Sequence, residues 1–339
     1  MNSNSKIFMC AALLLAGSTL YAQDYSFKVF GSKGNNTVNG VPLKVGTKLK
    51  DNEAISVDGS YIGLSHANGK TVEITAKGTY KIKDLMAQAL KNSNSSLTSK
   101  YASFVVNELT KDDGDAPTQN RSKYMNKTGS VDRGTDQVVM IPLGVEDANN
   151  AQDLNREAIP VKIYGNTIGV KWVLKPGVDE KKFEGYRVLL IDLSEQVIAA
   201  QTVKEFGTVV QIPATAFKEH SHLILKAIPL EQGQNLSDEK LNSSEKGVSL
   251  EKVSEDKATQ ISADLKAICV NPDETINKLI AARYFEDNGL FMDAIAMYEE
   301  VVKANPNEPK YAKLYSDFLV ANKLTKEDIH QAFASTSSK

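Results

Sequence analysis

NPDETINKLIAARYFEDNGLFMDAIAMYEEVVKANPNE, residues 271–308, is bounded by a repeated tetrapeptide. Asn271-Pro272-Asp273-Glu274 recurs as Asn305-Pro306-Asn307-Glu308, 34 residues later. A fixed period of that length marks stacked helical hairpins. Between the two copies the pattern reads as a helix, a glycine and a second helix. Small Ala282 and Ala294 let the partner helices approach. Phe285 and Tyr298 fill the space between them, and Val301 completes the apolar set. Gly289 can turn the chain at the end of the first helix. Pro306 forbids continuation of the second.

Those positions resemble the signature of the tetratricopeptide (TPR) repeat, carried by Ala282, Phe285, Gly289, Ala294, Tyr298, Val301 and Pro306. Flanking helices follow from two stripes. Ile261, Leu265 and Ile268 precede the repeat, and Tyr311, Leu314, Tyr315 and Phe318 follow it. Asn322 to Phe333 reads as a short polar cap. The TPR-type helical segment is thus placed at 257–334, with a tail at 335–339. A peptide-gripping groove needs about three stacked repeats. With one full repeat, two readings stand: a groove, or a small bundle that packs only on its neighbours.

Working outward, residues 231–256 read as a polar linker, and 137–230 as a strand-rich block. Ile168, Val170, Trp172 and Leu174 alternate with their neighbours, as do Tyr186, Val188 and Leu190. Turn residues stand at Gly165-Asn166 and Pro176-Gly177, spacing that suits an antiparallel sandwich. The Trp172 strand followed by Gly185-Tyr186-Arg187-Val188 resembles a fibronectin type III or immunoglobulin-like module. A last strand is not visible before the polar stretch, which leaves a truncated or permuted sandwich open. His220 or His222 stands where a late Tyr is expected.

Further upstream, 112–136 reads as a linker and 84–111 as a helical segment. Leu85, Met86 and Leu90 share one face there, as do Tyr101, Phe104, Val105 and Leu109. Residues 24–83 alternate apolar and polar at Phe27/Val29, Ile55/Val57 and Val72/Ile74. Turn signals such as Asn39-Gly40 and Asp58-Gly59 separate these runs. The stretch from Gly40 to Leu85 is similar to the FecR-like small β-domain of exported bacterial proteins. That resemblance implies a scaffolding or signalling fold with no catalytic residues. The fold class expected is therefore multidomain α+β.

Residues 1–22 read as a signal peptide. Lys6 is its positive start, Ile7 to Gly17 its apolar run, and cleavage falls near Ala22-Gln23. The run is too short to span a bilayer, which takes ~20 apolar residues. Cys10 lacks the small preceding residue of a lipidated cysteine. Export leaves Cys269 alone, so stability must come from packed cores. Lys and Arg total 40 against 42 Asp and Glu, a net charge of −2 that gives no long-range pull toward nucleic acid.

No chemistry-bearing constellation emerges. His220 and His222, at i and i+2 before a strand, share a face and could begin a metal site. Glu219 points the other way, and solvent-facing histidines are the preferred reading. His66 lies on the Ile62/Leu64 face and His330 in the polar tail. Cys269 reads as a small apolar residue at a helix end. Asp112-Asp113 and Glu299-Glu300 read as solvated pairs. The glycines of 31–40 lack the lysine of a phosphate loop. The expectation is a protein without catalytic, cofactor or metal residues. It is exported, periplasmic or else secreted or surface-associated, and binds protein partners as a scaffold of the bacterial envelope. Surface adhesion or carbohydrate binding is the alternative, against which Trp172, the only Trp, is expected to be buried.

Overall fold

The structure, a computed structural model, describes residues 25–66, 71–91, 100–102, 104–105, 108–109, 138–141, 160–233, 237, 247–269 and 275–327. The expected signal peptide, the 112–136 linker, the first copy of the tetrapeptide (271–274) and His330 lie outside them. The chain is mixed α and β and divides into two compact units, residues 1–92 and 93–339. No helix among the described residues is long and apolar enough to cross a membrane.

The described residues of the first unit hold eight short strands and one helix. They are β1 (Phe27–Lys33), β2 (Thr37–Val38), β3 (Val41–Pro42), β4 (Lys48–Leu49), β5 (Ala54–Val57), β6 (Tyr61–His66), β7 (Thr71–Ile74), β8 (Gly78–Lys81) and α1 (Ile82–Lys91). They form two antiparallel sheets, ordered β4-β1-β6-β7 and β3-β2-β5-β8. The alternating pairs Phe27/Val29, Ile55/Val57 and Val72/Ile74 all point into one core, closed by Ile82, Leu85 and Ala89 of α1. Asn39 and Gly40 both have positive φ, 52° and 78°, as a two-residue hairpin between β2 and β3 demands.

Asn36 ties three pieces of this unit together. It is buried, and its Nδ2 donates to Tyr61 O at 2.7 Å and Lys33 O at 3.0 Å. Its Oδ1 accepts from Asp58 N at 3.2 Å. Beside it, the Asn35 amide leads the hydrogen bonds that hold the Asp58 carboxyl below its usual range. Asn36→Ala strands a buried carbonyl and amide, a loss of about 2 kcal/mol. Hydrogen exchange of the β6 amides should accelerate by about thirtyfold as a result.

The second unit joins strands to helices. Its strands are β9 (Val139–Met140), β10 (Val161–Ile163), β11 (Thr167–Lys171), β12 (Val173–Leu174), β13 (Phe183–Ile191), β14 (Val197–Val203), β15 (Gly207–Gln211), β16 (His222–Glu231) and β17 (Val248–Lys252). Five form one sheet, β10-β17-β16-β13-β14, while β11 pairs with β15 and β12 with β9. All pairings are antiparallel except β10 with β17. Trp172 is buried, and its ring meets Tyr186 edge-on at 5.4 Å.

Three details depart from the sequence reading. First, β17 lies inside 231–256, the stretch expected to be a linker, and pairs with β10 and β16. Second, β11 does not alternate. Ile168, Gly169 and Val170 are all buried, because a helix covers its second face. Third, 84–111 is not one segment. Its first part, α1, lies in the first unit, and the helical residues around 100–109 lie in the second. There Tyr101 meets Tyr284 edge-on at 5.6 Å, and Phe104 lies 4.1 Å under the Arg283 guanidinium.

The four long helices among the described residues of the second unit are α2 (Glu255–Ile268), α3 (Thr275–Asp287), α4 (Phe291–Ala304) and α5 (Pro309–Ala321). Ser254 caps α2, its Oγ accepting from Lys257 N. Gly289 turns α3 into α4 at φ 72°. Pro306 sits in the turn that ends α4. Ala282, Phe285, Ala294, Tyr298 and Val301 are all buried. Tyr298 stacks on Tyr315 of α5 at 5.4 Å. α4 lies along β11, where Gly169 faces Ile295 and Ala296. Lys171 Nζ, further along β11, reaches Glu299 at 3.2 Å.

Candidate functional site

The turn between β10 and β11, Tyr164-Gly165-Asn166, is gripped from two sides. Asp293 stands in the first turn of α4, where the positive end of the helix dipole favours a carboxylate. Its oxygens accept from Tyr164 N at 3.0 Å and Gly165 N at 2.6 Å. Lys252, the last residue of β17, donates from Nζ to Tyr164 O at 2.7 Å, Gly165 O at 2.5 Å and Asn166 Oδ1 at 2.9 Å. The peptide group between Tyr164 and Gly165 thus has a cation on its oxygen and an anion on its N–H. Both charges act along the peptide dipole and fix its orientation. A Cβ at Gly165 would lie 3.0 Å from Asp293 Oδ1, so the close approach depends on a glycine.

Burial governs the electrostatics of this clamp. Asp293 is almost wholly buried, and its carboxyl is pushed up to about 6 against the opposing pull of the two amides and Lys252. Burial also lowers the Lys252 ammonium, against the attraction of Asp293. An acid with a raised folded pKa binds its proton more tightly in the native state. Its contribution is therefore fully present below the ordinary 3.8 and lost as pH rises through about 6. Relative to Asp293→Asn, the second unit should lose about 2 kcal/mol between pH 4 and pH 7, read by denaturant titration at each pH.

The clamped turn forms one wall of a cleft of about 360 Å³. The other walls come from α2, α3 and α4. Leu265, Ala281, Phe285 and Met297 make its apolar lining, with the Tyr164 ring 5.9 Å from that of Phe285. Asn277 lies in the wall at the first turn of α3, 3% exposed, and its Nδ2 has no hydrogen-bond partner among the described residues. Cys269 Sγ donates to Asn277 O at 3.3 Å and joins the end of α2 to that turn. Lys266 and Lys278 also line the cleft. Lys266 is exposed, and Lys278 reaches Glu300 at 2.8 Å.

The residues singled out in the sequence fall elsewhere, with few exceptions. Of the seven repeat positions only Phe285 lines the cleft. The others pack α3, α4 and α5 together or turn the chain between them. His220 ends a helical turn, Ala216–Glu219, with Nδ1 3.8 Å from Asp192, whereas His222 Nε2 lies 3.8 Å from Glu251. The two imidazoles face different acids. His66 packs edge-on against Phe27 at 5.3 Å. Glu299 is half-buried rather than solvated. Its Oε1 accepts from Tyr315 Oη at 2.8 Å and pairs with Lys171, while Oε2 is 3.6 Å from Lys303. Among the described residues no group of three or more His, Cys, Asp or Glu is placed to hold a metal ion.

Asp293, Lys252 and Asn277 escaped the sequence reading. Each looks ordinary in its own helix or strand, and their partners lie far away in the chain. The one local signal was the Gly165-Asn166 turn, which says that the chain bends there but not what holds the bend. No protein-family model and no curated protein matches the chain.

Proposed function

We propose that the chain is an exported, non-catalytic binding component of the bacterial cell envelope, a protein-interaction or scaffold part. We assign partner binding to the cleft described above. The observation that carries this reading is the cleft's construction. Strand turn and helices enclose an apolar concavity together, and charges at Asp293 and Lys252 fix its wall in advance of any ligand. A preformed concavity with few polar groups is the usual form of a binding site.

The module resemblances support the same reading. The buried repeat positions of α3 and α4, with Gly289 at the bend, favour a tetratricopeptide-type pair. Trp172 on Tyr186, with β17 as a last strand, favours a fibronectin or immunoglobulin-like middle region. The eight strands of the first unit favour a FecR-like β-domain. The face of α3 bearing Arg283 and Tyr284 already holds Tyr101 and Phe104 of the same chain. That contact turns attention from a repeat-type groove to the cleft.

The test is site-directed photo-cross-linking in the exporting cell, from a benzophenone side chain placed at Asn166 on the rim. One dominant adduct with an envelope protein is expected. Met297→Trp, which fills the cleft, should abolish it. Absence of an adduct, or an adduct that survives Met297→Trp, contradicts the reading.

A further inference from the structure

We infer that the cleft is a carboxylate site: it takes an apolar group that carries a carboxylate, whether the C-terminus of a peptide or a small free acid. This inference rests on the reading of the cleft as the binding surface and names the chemistry of what it holds.

Four features converge on an anionic acceptor. Asn277 Nδ2, in a wall of the cleft, is a buried donor without a partner among the described residues. Leaving such a donor unmade is costly, and an oxygen acceptor removes the cost. Asn277 also stands in the first turn of α3, a 13-residue helix whose dipole is positive at that end. Lys266 lines the same cleft and brings a cation from α2, beside Lys278 of α3, whose ammonium is shared with Glu300 at 2.8 Å. Among the described residues the one carboxylate in the lining, Asp293, is turned onto the Tyr164 and Gly165 amides and draws on Lys252 behind them. Its negative charge is thus directed into the wall. The body of the ligand follows from the remaining lining. Leu265, Ala281, Phe285 and Met297 offer an apolar surface, which suits a branched or linear aliphatic group.

The experiment is calorimetric titration of the purified full chain with two acids, N-acetyl-Gly-Gly-Leu and octanoate. Each is compared with its own amide. Saturable binding of at least one acid is expected, with its amide weaker by about tenfold or more. Asn277→Leu should weaken the acid by about tenfold. Lys266→Glu, an exposed change that leaves packing intact, should weaken it by at least about threefold and flatten its salt dependence. The Lys266 variant decides the matter if the Asn277 variant does not fold.

Binding of neither acid overturns the inference, as does equal binding of acid and amide. Binding indifferent to the variants overturns it as well. If the peptide acid binds, both the carboxylate site and the protein-partner reading gain. If octanoate alone binds, the carboxylate site stands and the protein-partner reading falls. If neither binds while the Asn166 adduct persists in the cell and is lost in Met297→Trp, the protein-partner reading stands without this inference.

Discussion

Gly169→Ala is expected to destabilise the second unit by about 3 kcal/mol, although it adds a single methyl group. Gly169 lies on β11 where α4 crosses it. A Cβ there would overlap Ile295 Cγ2 and lie 2.6 Å from Ala296 N. The nitrogen belongs to the interior of α4 and cannot rotate away as the end of a flexible side chain could. In open space the same change would stabilise, because alanine restricts the unfolded chain more than glycine does. The clash reverses the sign. Trp172 is the only Trp in the chain and is buried in this unit, so its fluorescence follows the relevant transition selectively. Adding Ile295→Ala should restore only part of the loss, since the contact with the Ala296 nitrogen remains. Full restoration would mean that the side chain alone sets the approach of helix to strand.

Asp293→Ala should cost about as much, roughly 2–4 kcal/mol at neutral pH, by a different route. It leaves the Tyr164 and Gly165 amides without acceptors and removes the anion that offsets the Lys252 charge. The Tyr164-Gly165-Asn166 turn should then loosen, with amide exchange at those positions rising far more than in the five-stranded sheet. Asp293→Asn keeps one acceptor oxygen and should fall between the two. The isosteric variant also separates charge from shape. Its deficit relative to the parent should be larger at pH 4 than at pH 7, because the parent carboxyl is protonated there and escapes the cost of a buried charge. A deficit that grows instead with rising pH would mean that the amides and Lys252 outweigh burial at this carboxylate.

Much of the fold was legible because it is periodic. Phe27, Val29, Ile55, Val57, Val72 and Ile74 alternate in sequence and share one core. Tyr311, Leu314, Tyr315 and Phe318 recur at helical spacing and are all buried on α5. Gly289 marked the bend between α3 and α4 through its tolerance of positive φ. What escaped lacks such a period. β17 reads Val-Ser-Leu-Glu-Lys, with Leu250 its one fully buried apolar side chain. Glu251 reaches Lys162 at 2.5 Å, a charge pairing that sequence shows only as surface polarity. On β11, Gly169 gave no sign that a helix would lie against it, because the absence of a side chain does not name its neighbour.

The candidate site was the least legible part. Asp293 resembles any acid in the first turn of a helix, and Lys252 any basic residue in a polar stretch. Their meeting point lies 128 and 87 residues away, respectively, at Gly165. Asn277 sits mid-pattern in an apolar helix, where a polar residue would be expected to face water. Only the closure of α2, α3 and the turn around it turns that residue into a buried donor without a partner among the described residues.

Asn277 therefore offers the most direct measurement of the account. With asparagine side chains labelled in the full chain, N-acetyl-Gly-Gly-Leu should shift the Asn277 NH2 resonances saturably in the direction of a new hydrogen bond. The Asn36 resonances, enclosed in the first unit, should stay in place. A titration in which Asn277 does not move, or moves no more than Asn36, with this acid and with octanoate alike would contradict the assignment of the cleft as a carboxylate site.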